Sequence, residues 1–343
     1  MKLITAIKSF YRISNPSVTK VDASLQEKKF RMLGFQTFLA GTIGYSLYYV
    51  CRTSLNVVKK PILDSGMLDA SQLGVIGSVL LFAYAIGKFI NGFLADHCNI
   101  KRFMATGLLV SAVANFCLGI LGFASSALPT MAVFMMFAIM WGINGWSQSM
   151  GAPPAIIGLS RWLPLSKRGT FYGFFSLSHN LGEWLSFLFV GILVSVAGWQ
   201  WGFVGSSIAG ALGVIVIVFF MHDNPQSKGL PAVEEMAHEK TSADKAEEST
   251  GALQKLVLKT PAVWILAGAS AFMYIARYAI NGWGVLFLQK ARGFELAEAS
   301  QVIAFSAVSG ILGTVLAGWL SDKVFKGDRV KPAVLSGIIS TSS

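Results

Sequence analysis

Eight long apolar runs dominate this sequence and limit what it can fold into. Each is about as long as the roughly 20 residues that an α-helix needs to cross the hydrocarbon core of a bilayer. Only 13% of the residues are charged, against about 25% in an average soluble chain. We therefore expect an all-α polytopic membrane protein with spans near 33–57, 71–95, 103–123, 129–158, 170–197, 202–221, 261–288 and 297–320.

A ninth apolar run begins at Pro332 and has 12 residues before the sequence ends. As a helix with a rise of about 1.5 Å per residue, it would cover about 18 Å of the about 30 Å of hydrocarbon. The sequence therefore predicts a ninth helix that ends early, inside the membrane.

Basic residues predict the orientation, because Lys and Arg in short loops stay on the cytoplasmic side. The N-terminal tail carries seven of them, and the loops at 96–102, 159–169, 222–260 and 321–331 carry two, three, five and four. The opposite loops hold Lys59, Lys60, Lys290 and Arg292. We expect a cytoplasmic N-terminus, and the net charge of +11 needs no nucleic-acid partner.

The sequence lacks the residue patterns that metal sites, disulfide frameworks and enzymes require. The cysteines, Cys51, Cys98 and Cys117, have no metal-ligand histidines at a suitable spacing, so neither a disulfide framework nor a zinc site is indicated. The sequence has no P-loop and no nucleophile placed beside a base. We expect no enzyme activity, no metal and no cofactor.

An internal repeat relates the first span to the seventh. The letters YVCRTSLN correspond to YIARYAIN, with an offset of 225 residues in each case between Tyr49, Arg52 and Asn56 and their counterparts Tyr274, Arg277 and Asn281. We expect a cytoplasmic tail at 1–32, a six-helix half at 33–221, a linker at 222–260 and a partial second half at 261–343. Two parallel copies of six spans form the architecture of major facilitator transporters.

A second repeated motif follows spans 2 and 8. Gly-Phe-Leu-Ala-Asp ends at Asp96, Gly-Trp-Leu-Ser-Asp ends at Asp322, and basic residues follow each. It resembles the signature of the major facilitator superfamily in the same loops. We expect a cytoplasmic clasp in which the aspartates pair with basic groups such as Arg102 and Arg329; the alternative is charge that only sets topology.

Buried charges point to the ligand. Arg277 lies near the middle of its span, where a charge costs about 2.5 to 3.5 kcal/mol, whereas Arg52 alone could also be a snorkelling arginine. Tyr45, Tyr49 and Tyr274 share helix faces with these arginines. Arginine suits phosphate because its guanidinium is a planar fork of donors, so we expect an anion.

Three further polar residues lie in the spans. Lys88 could bind the anion or reach the membrane interface. His179 could be a packed hydrogen-bonding residue or a titratable donor to the anion. Glu183, one turn beyond His179, could pair with that histidine or with a basic residue, or face a water-filled cavity.

Several segments together resemble the organophosphate:phosphate antiporter family, which includes glycerol-3-phosphate and hexose-6-phosphate antiporters and a hexose-phosphate sensor. The resemblance implies that Arg52 and Arg277 bind phosphate with the nearby tyrosines, Lys88 and His179. The chain departs from the family pattern at Ala152, where tryptophan is usual, and at Glu183, where glycine is usual. The matching segments are 44–56, 144–154, 167–171, 179–180, 224–226 and 229–231.

The resemblance implies a multi-pass carrier in the bacterial inner membrane that exchanges a phosphorylated sugar for inorganic phosphate by alternating access. We expect one phosphate to bridge Arg52 and Arg277 and draw the two halves together. One alternative is a receptor of the same fold that binds hexose phosphate and signals to a membrane sensor kinase. Another is a non-functional fragment.

Overall fold

The computed structural model describes residues 2–237, 256, 258–320, 324–325 and 330–342. Its regular elements in these ranges are helices, in agreement with the all-α prediction. Two short 3₁₀ turns also occur, at Ser125–Ala127 and Gln226–Lys228. The α-helices are α1 (Lys2–Tyr11), α2 (Ala23–Asp64), α3 (Ala70–Asp96), α4 (Ile100–Ala124), α5 (Thr130–Gln148), α6 (Ala152–Trp162), α7 (Leu165–Ala197), α8 (Trp199–Phe220), α9 (Val233–Met236), α10 (Pro261–Arg292), α11 (Leu296–Trp319) and α12 (Val330–Ser342).

Seven helical stretches of the described chain are long and apolar enough to cross a membrane. They correspond to seven of the eight predicted spans. The remaining span, 33–57, forms the middle of α2, a helix of 42 residues. Tyrosines and threonines make this stretch less apolar than the others, and most of its polar groups are buried against other helices.

The predicted span at 129–158 is two helices instead of one. Helix α5 ends at Gln148, and α6 starts at Ala152 with prolines at its first positions. Proline has no backbone N–H, so it fits the first turn of a helix but interrupts a helix interior. The Pro153-Pro154 pair therefore begins a new helix where the apolar pattern alone predicted a continuous one.

Helix α2 is the centre of the packing, in contact with α7, α8, α6 and α10. Buried amides join it to α4 and α5: Asn115 and Asn144 both donate to the backbone carbonyl of Cys51. Ser54 donates to the side chain of Asn115 over 2.7 Å. Such polar groups find hydrogen-bond partners between helices because the bilayer offers none.

Gly182 lets α7 approach α2 closely enough to build the site. A Cβ at this position would overlap the backbone carbonyl of Ser46 and lie 2.7 Å from the Cβ of Tyr49. The hydroxyl of Ser46 donates to the backbone carbonyl of Ser178 over 2.9 Å. This contact brings His179, the residue that follows, beside Tyr49, with their ring centroids 6.2 Å apart.

The expected clasp between Asp96 and Arg102 is not formed. Asp96 is exposed at the end of α3 and has no ion pair with a described residue. Arg102 instead donates to the backbone carbonyl of Phe10 over 2.7 Å, and its guanidinium lies 5.2 Å from the centroid of the Phe10 ring. Arg102, which the motif predicted to pair with Asp96, thus contacts the N-terminal helix α1 instead. The other predicted clasp residues, Asp322 and Arg329, lie outside the described residues.

A different ion pair joins the ends of the helices at this face. The side chain of Arg161 lies 2.6 Å from that of Asp223, and Asp223 is buried. Asp223 also accepts hydrogen bonds from the backbone N–H groups of Ser14 and Ile100. One carboxylate therefore joins α6, the start of α4, the N-terminal segment and the segment after α8.

Candidate functional site

Two cavities lie where α2, α3, α7 and α10 meet. The larger, called here the large cavity, has a volume of about 860 Å³. The smaller, called here the small chamber, has a volume of about 130 Å³. Residues on the wall of the large cavity include Tyr45, Tyr84, Lys88, His179, Tyr274 and Arg277, and residues on the wall of the small chamber include Arg52, Asn56, Lys59, Asn281 and Trp283.

Four residues, Tyr49, Leu81, Glu183 and Tyr278, line both cavities and so form the partition between them. The two repeated arginines lie on different sides of this partition, Arg277 on the large cavity and Arg52 on the small chamber. Neither cavity is lined by both arginines in this conformation. The phosphate bridge between them stays a prediction for a different conformation of the protein.

Arg52 is buried in the interior, with 6% of its surface exposed. Its guanidinium lies over the ring of Tyr84, 3.8 Å from the centroid, and 5.3 Å from the centroid of Tyr49. Helix α2 continues for about three turns beyond Arg52, to Asp64. The arginine therefore does not reach the membrane surface, as a snorkelling side chain would. A desolvated cation over an aromatic face gains about 2 kcal/mol, which only partly offsets the cost of burying its charge.

Arg277 has an anionic partner. Its Nη2 lies 2.9 Å from Oε2 of Glu183 and 3.0 Å from Oδ1 of Asn180. The sequence left three roles open for Glu183, and the structure shows the ion pair with a basic residue. The carboxylate also borders both cavities. Arg277 is therefore held in place and largely neutralised by α7.

The other predicted ligands line the large cavity. Tyr274 stacks on Tyr278 with ring centroids 5.8 Å apart, and Tyr45 is buried against Tyr49 with centroids 5.5 Å apart. The ammonium of Lys88 lies 5.5 Å from the centroid of Tyr84, so this lysine faces the cavity. All of the predicted binding residues except Arg52 therefore share one cavity wall.

His179 also lies on this wall, beside Tyr49. Its imidazole forms no hydrogen bond with a residue that the structure describes, so the packed hydrogen-bonding role is not seen. Its ring is available to a ligand in the cavity.

Sequence reasoning missed two residues of the site. Tyr84 lies four residues before Lys88 on the same face of α3, and this helical spacing was the available signal. Lys59 was assigned to an outer loop, but it is 3% exposed inside α2. Its ammonium donates to the backbone carbonyl of Gly282 over 2.5 Å and lies 3.9 Å from the centroid of the Trp283 ring.

The charges around the two cavities favour an anion. Lys88 and Arg277 are cations on the large cavity, and Arg52 and Lys59 are cations on the small chamber, whereas Glu183 is the carboxylate at the partition. Asp96 adds a second carboxylate at the exposed end of the large cavity. A bound oxyanion would reduce the mutual repulsion of the cations in a low-dielectric interior.

The sequence matches one family of known proteins. The sequence matches the Major Facilitator Superfamily over residues 41–343. The chain belongs to this superfamily. Among its relatives is the "Probable hexose phosphate transport protein" of Chlamydia muridarum (strain MoPn / Nigg), 34% identical over 90% of this chain and 68% of that protein.

Two further relatives place the chain in the organophosphate:phosphate antiporter branch of the superfamily. The "Glycerol-3-phosphate transporter" of Bacillus subtilis (strain 168) is 32% identical over 93% of this chain and 72% of that protein. The "Membrane sensor protein UhpC" of Escherichia coli (strain K12) is 31% identical over 84% of this chain and 64% of that protein. The chain thus spans about two thirds of the length of these relatives.

Solved structures agree on the fold. A bacterial homologue of the human lysosomal transporter Spinster, in an inward-facing and unoccupied conformation, superposes with a TM-score of 0.67 at 20% identity, over 85% of this chain and 63% of that chain. The superfamily match and the seven span-length helical stretches among the described residues make the chain a multi-pass membrane protein. Its relatives are transporters and a sensor, not enzymes.

Proposed function

We propose that the chain is the binding and gating core of a carrier that exchanges a phosphorylated sugar for inorganic phosphate. The observation that carries the proposal is the large cavity, in which Arg277, Lys88, His179 and Tyr274 converge from α10, α3 and α7. Two cations and several donors suit a phosphoryl group. The cavity volume of about 860 Å³ lies within the usual range of small-molecule sites, about 300 to 1,000 Å³.

The two ends of the pathway differ in this conformation. The large cavity extends along α3 past Lys88 to Asp96, at the end that the basic loops assign to the cytoplasm. At the other end, the contacts of Lys59 with Gly282 and Trp283 hold α2 against α10. We interpret this conformation as open to the cytoplasm, and alternating access would break the α2–α10 contact while closing the large cavity.

Substrate competes with Glu183 for Arg277. The phosphoryl group binds the guanidinium of Arg277 in place of Glu183, the Glu183 side chain rotates away, and the partition between the two cavities opens. Arg52 and Arg277 can then face one anion, which draws α2 and α10 together in the occluded state. Without an anion, Glu183 stays paired with Arg277 and the partition stays closed, so exchange of one anion for another is favoured over slip.

The proposed setting follows from the basic loops. The protein would lie in the bacterial inner membrane with its N-terminus in the cytoplasm, tail 1–32 and linker 222–260 on the same side, and the halves 33–221 and 261–343 across the bilayer. Addition of a membrane-impermeant thiol reagent to intact cells tests this arrangement. A cysteine at the partly exposed Lys60 should react from outside, whereas one at Ser17 should not, and reversed labelling would contradict the arrangement.

Counterflow tests the proposed function. Proteoliposomes loaded with inorganic phosphate should accumulate labelled glucose-6-phosphate or glycerol-3-phosphate, and empty ones should not. Uptake that is equal with and without internal phosphate would contradict exchange, and no uptake of either organophosphate would contradict the substrate class.

The second candidate function is a hexose-phosphate receptor that signals to a membrane kinase. It is supported by the 31% identity to the sensor protein. A receptor binds ligand without moving it. Saturable binding of glucose-6-phosphate to the purified protein, together with absent counterflow in the same preparation, would favour this function over transport.

A further inference from the structure

While the partition is closed, the proposed cycle gives the cations of the small chamber no anion to bind. Its wall holds two buried cations, Arg52 and Lys59, and the carboxylate of Glu183, which is already paired with Arg277. The chamber lies between α2, α3 and α10, on the opposite side of the partition from the large cavity. Its own balance of charge is therefore positive.

Arg52 has unused hydrogen-bond donors at this chamber. Its Nε and Nη2 atoms are buried and have no hydrogen-bond partner among the described residues. The side chain is 6% exposed, so bulk water does not satisfy these donors. An unpaired buried donor on a charged group costs several kcal/mol, and an oxyanion in the chamber would remove that cost.

The asparagines of the internal repeat meet here. Asn56 from α2 and Asn281 from α10 both line the chamber, although the repeat alone gave them no function. Each amide can donate to an anion from opposite walls. Lys59 adds an ammonium on the side of Asn56, one turn further along α2.

The size of the chamber restricts what it can hold. About 130 Å³ accommodates a few waters or one small tetrahedral oxyanion, but not a phosphate that carries a hexose. The partition of Tyr49, Leu81, Glu183 and Tyr278 separates this space from the large cavity. A ligand in the chamber is therefore selected by size as well as by charge.

We propose that the small chamber is a second anion subsite that holds free inorganic phosphate between Arg52, Lys59, Asn56 and Asn281. Lys59 is thus a specificity-determining residue for the inorganic partner. Only the identity of the anion, phosphate, rests on the proposed function; the subsite itself does not. It gives the carrier a position for phosphate that the phosphorylated sugar cannot enter until the partition opens.

Equilibrium titration of the purified full chain with two probes, inorganic phosphate and glucose-6-phosphate, tests the subsite. Lys59→Gln should weaken phosphate binding about tenfold or more, the value expected for loss of one hydrogen bond to a charged group, and change glucose-6-phosphate binding less than about threefold. Lys59→Arg should retain phosphate binding. Lys60→Gln is the matched control, because Lys60 pairs with Asp64 at the surface.

Each outcome separates the subsite from its alternatives. Equal weakening of both ligands by Lys59→Gln would mean that Lys59 acts through the general field or by holding α2 on α10, and would overturn the subsite. Unchanged phosphate binding in that variant, or none in the parent protein, would also overturn it. Selective loss of phosphate binding in a protein that never binds glucose-6-phosphate would support the subsite and contradict the proposed function.

Folding of the variants is checked by gel filtration in detergent. If Lys59→Gln aggregates, Asn281→Ser carries the test, because it removes a donor from the opposite wall without removing a charge. It should weaken phosphate binding and leave glucose-6-phosphate binding unchanged. Equal affinities for both ligands in Asn281→Ser and the parent protein would overturn the subsite.

Discussion

Glu183→Gln isolates the competition that the proposed cycle requires. The Glu183 carboxylate is 7% exposed and lies 2.9 Å from the guanidinium of Arg277, which is 34% exposed. A phosphate that binds Arg277 from the large cavity must replace this carboxylate. Because glutamine has the same shape without the charge, the variant should bind inorganic phosphate more tightly than the parent protein.

The magnitude follows from the geometry. Two unit charges at this distance attract by about 6 kcal/mol at an effective dielectric constant of about 20. The large cavity admits water to Arg277 and screens part of this attraction, and Asn180 stays as a partner in both proteins. We expect a net gain of about 1.4 kcal/mol, which is about tenfold in the dissociation constant.

Titration calorimetry of the purified proteins with phosphate at fixed ionic strength measures the gain. The matched control is Glu27→Gln, which removes a carboxylate from a fully surface-exposed pair with Arg31 and should leave affinity unchanged. Equal or weaker phosphate binding by Glu183→Gln would refute the competition. Glu183 would then be a structural partner that Arg277 needs in order to stay in position.

Three further predictions concern stability, each read from thermal unfolding in detergent. Asp223→Asn should destabilise the protein by about 3 kcal/mol, because it breaks a buried ion pair; melting no lower than that of the exposed variant Asp64→Asn would contradict this. Gly182→Ala should cost about 1 to 3 kcal/mol by overpacking against Ser46, and an unchanged melting temperature would show that α7 is free to move away. Burial and two nearby lysines lower the pKa of His222 from its ordinary 6.5 to about 4, so the folded protein keeps this histidine neutral while the unfolded chain binds a proton. Stability should therefore fall as the pH drops from about 6.5 to about 4, by at most about 1.4 kcal/mol per pH unit, and His222→Gln should be flatter there; identical pH profiles would contradict the assignment.

The helices could be predicted from sequence because length and apolarity are local properties. The seven apolar spans and the all-α fold are of this kind. The end of α5 before Pro153 is also a local property, but it was missed because counting apolar residues takes no account of the backbone N–H that proline lacks. The extension of α2 to Asp64 was missed because Lys59 and Lys60 were treated as residues of a loop.

The candidate site depended on which helix faces which, and that is a tertiary property. The repeat identified Arg52 and Arg277, and helical spacing placed the tyrosines on their faces. No spacing rule pairs Glu183 on α7 with Arg277 on α10, or places Trp283 over Lys59. The sequence therefore predicted one site for the two arginines, whereas in the structure they line two adjacent cavities.

Exchange of labelled phosphate in proteoliposomes tests the central claim most directly. Arg277→Gln removes one of the two cations of the large cavity, and Arg292→Gln removes an exposed arginine at the end of the same helix. The account predicts rapid exchange in the parent protein and in Arg292→Gln, and a loss of about a hundredfold in Arg277→Gln, equivalent to about 2.7 kcal/mol. Exchange by Arg277→Gln at a rate within about threefold of the parent protein would contradict it.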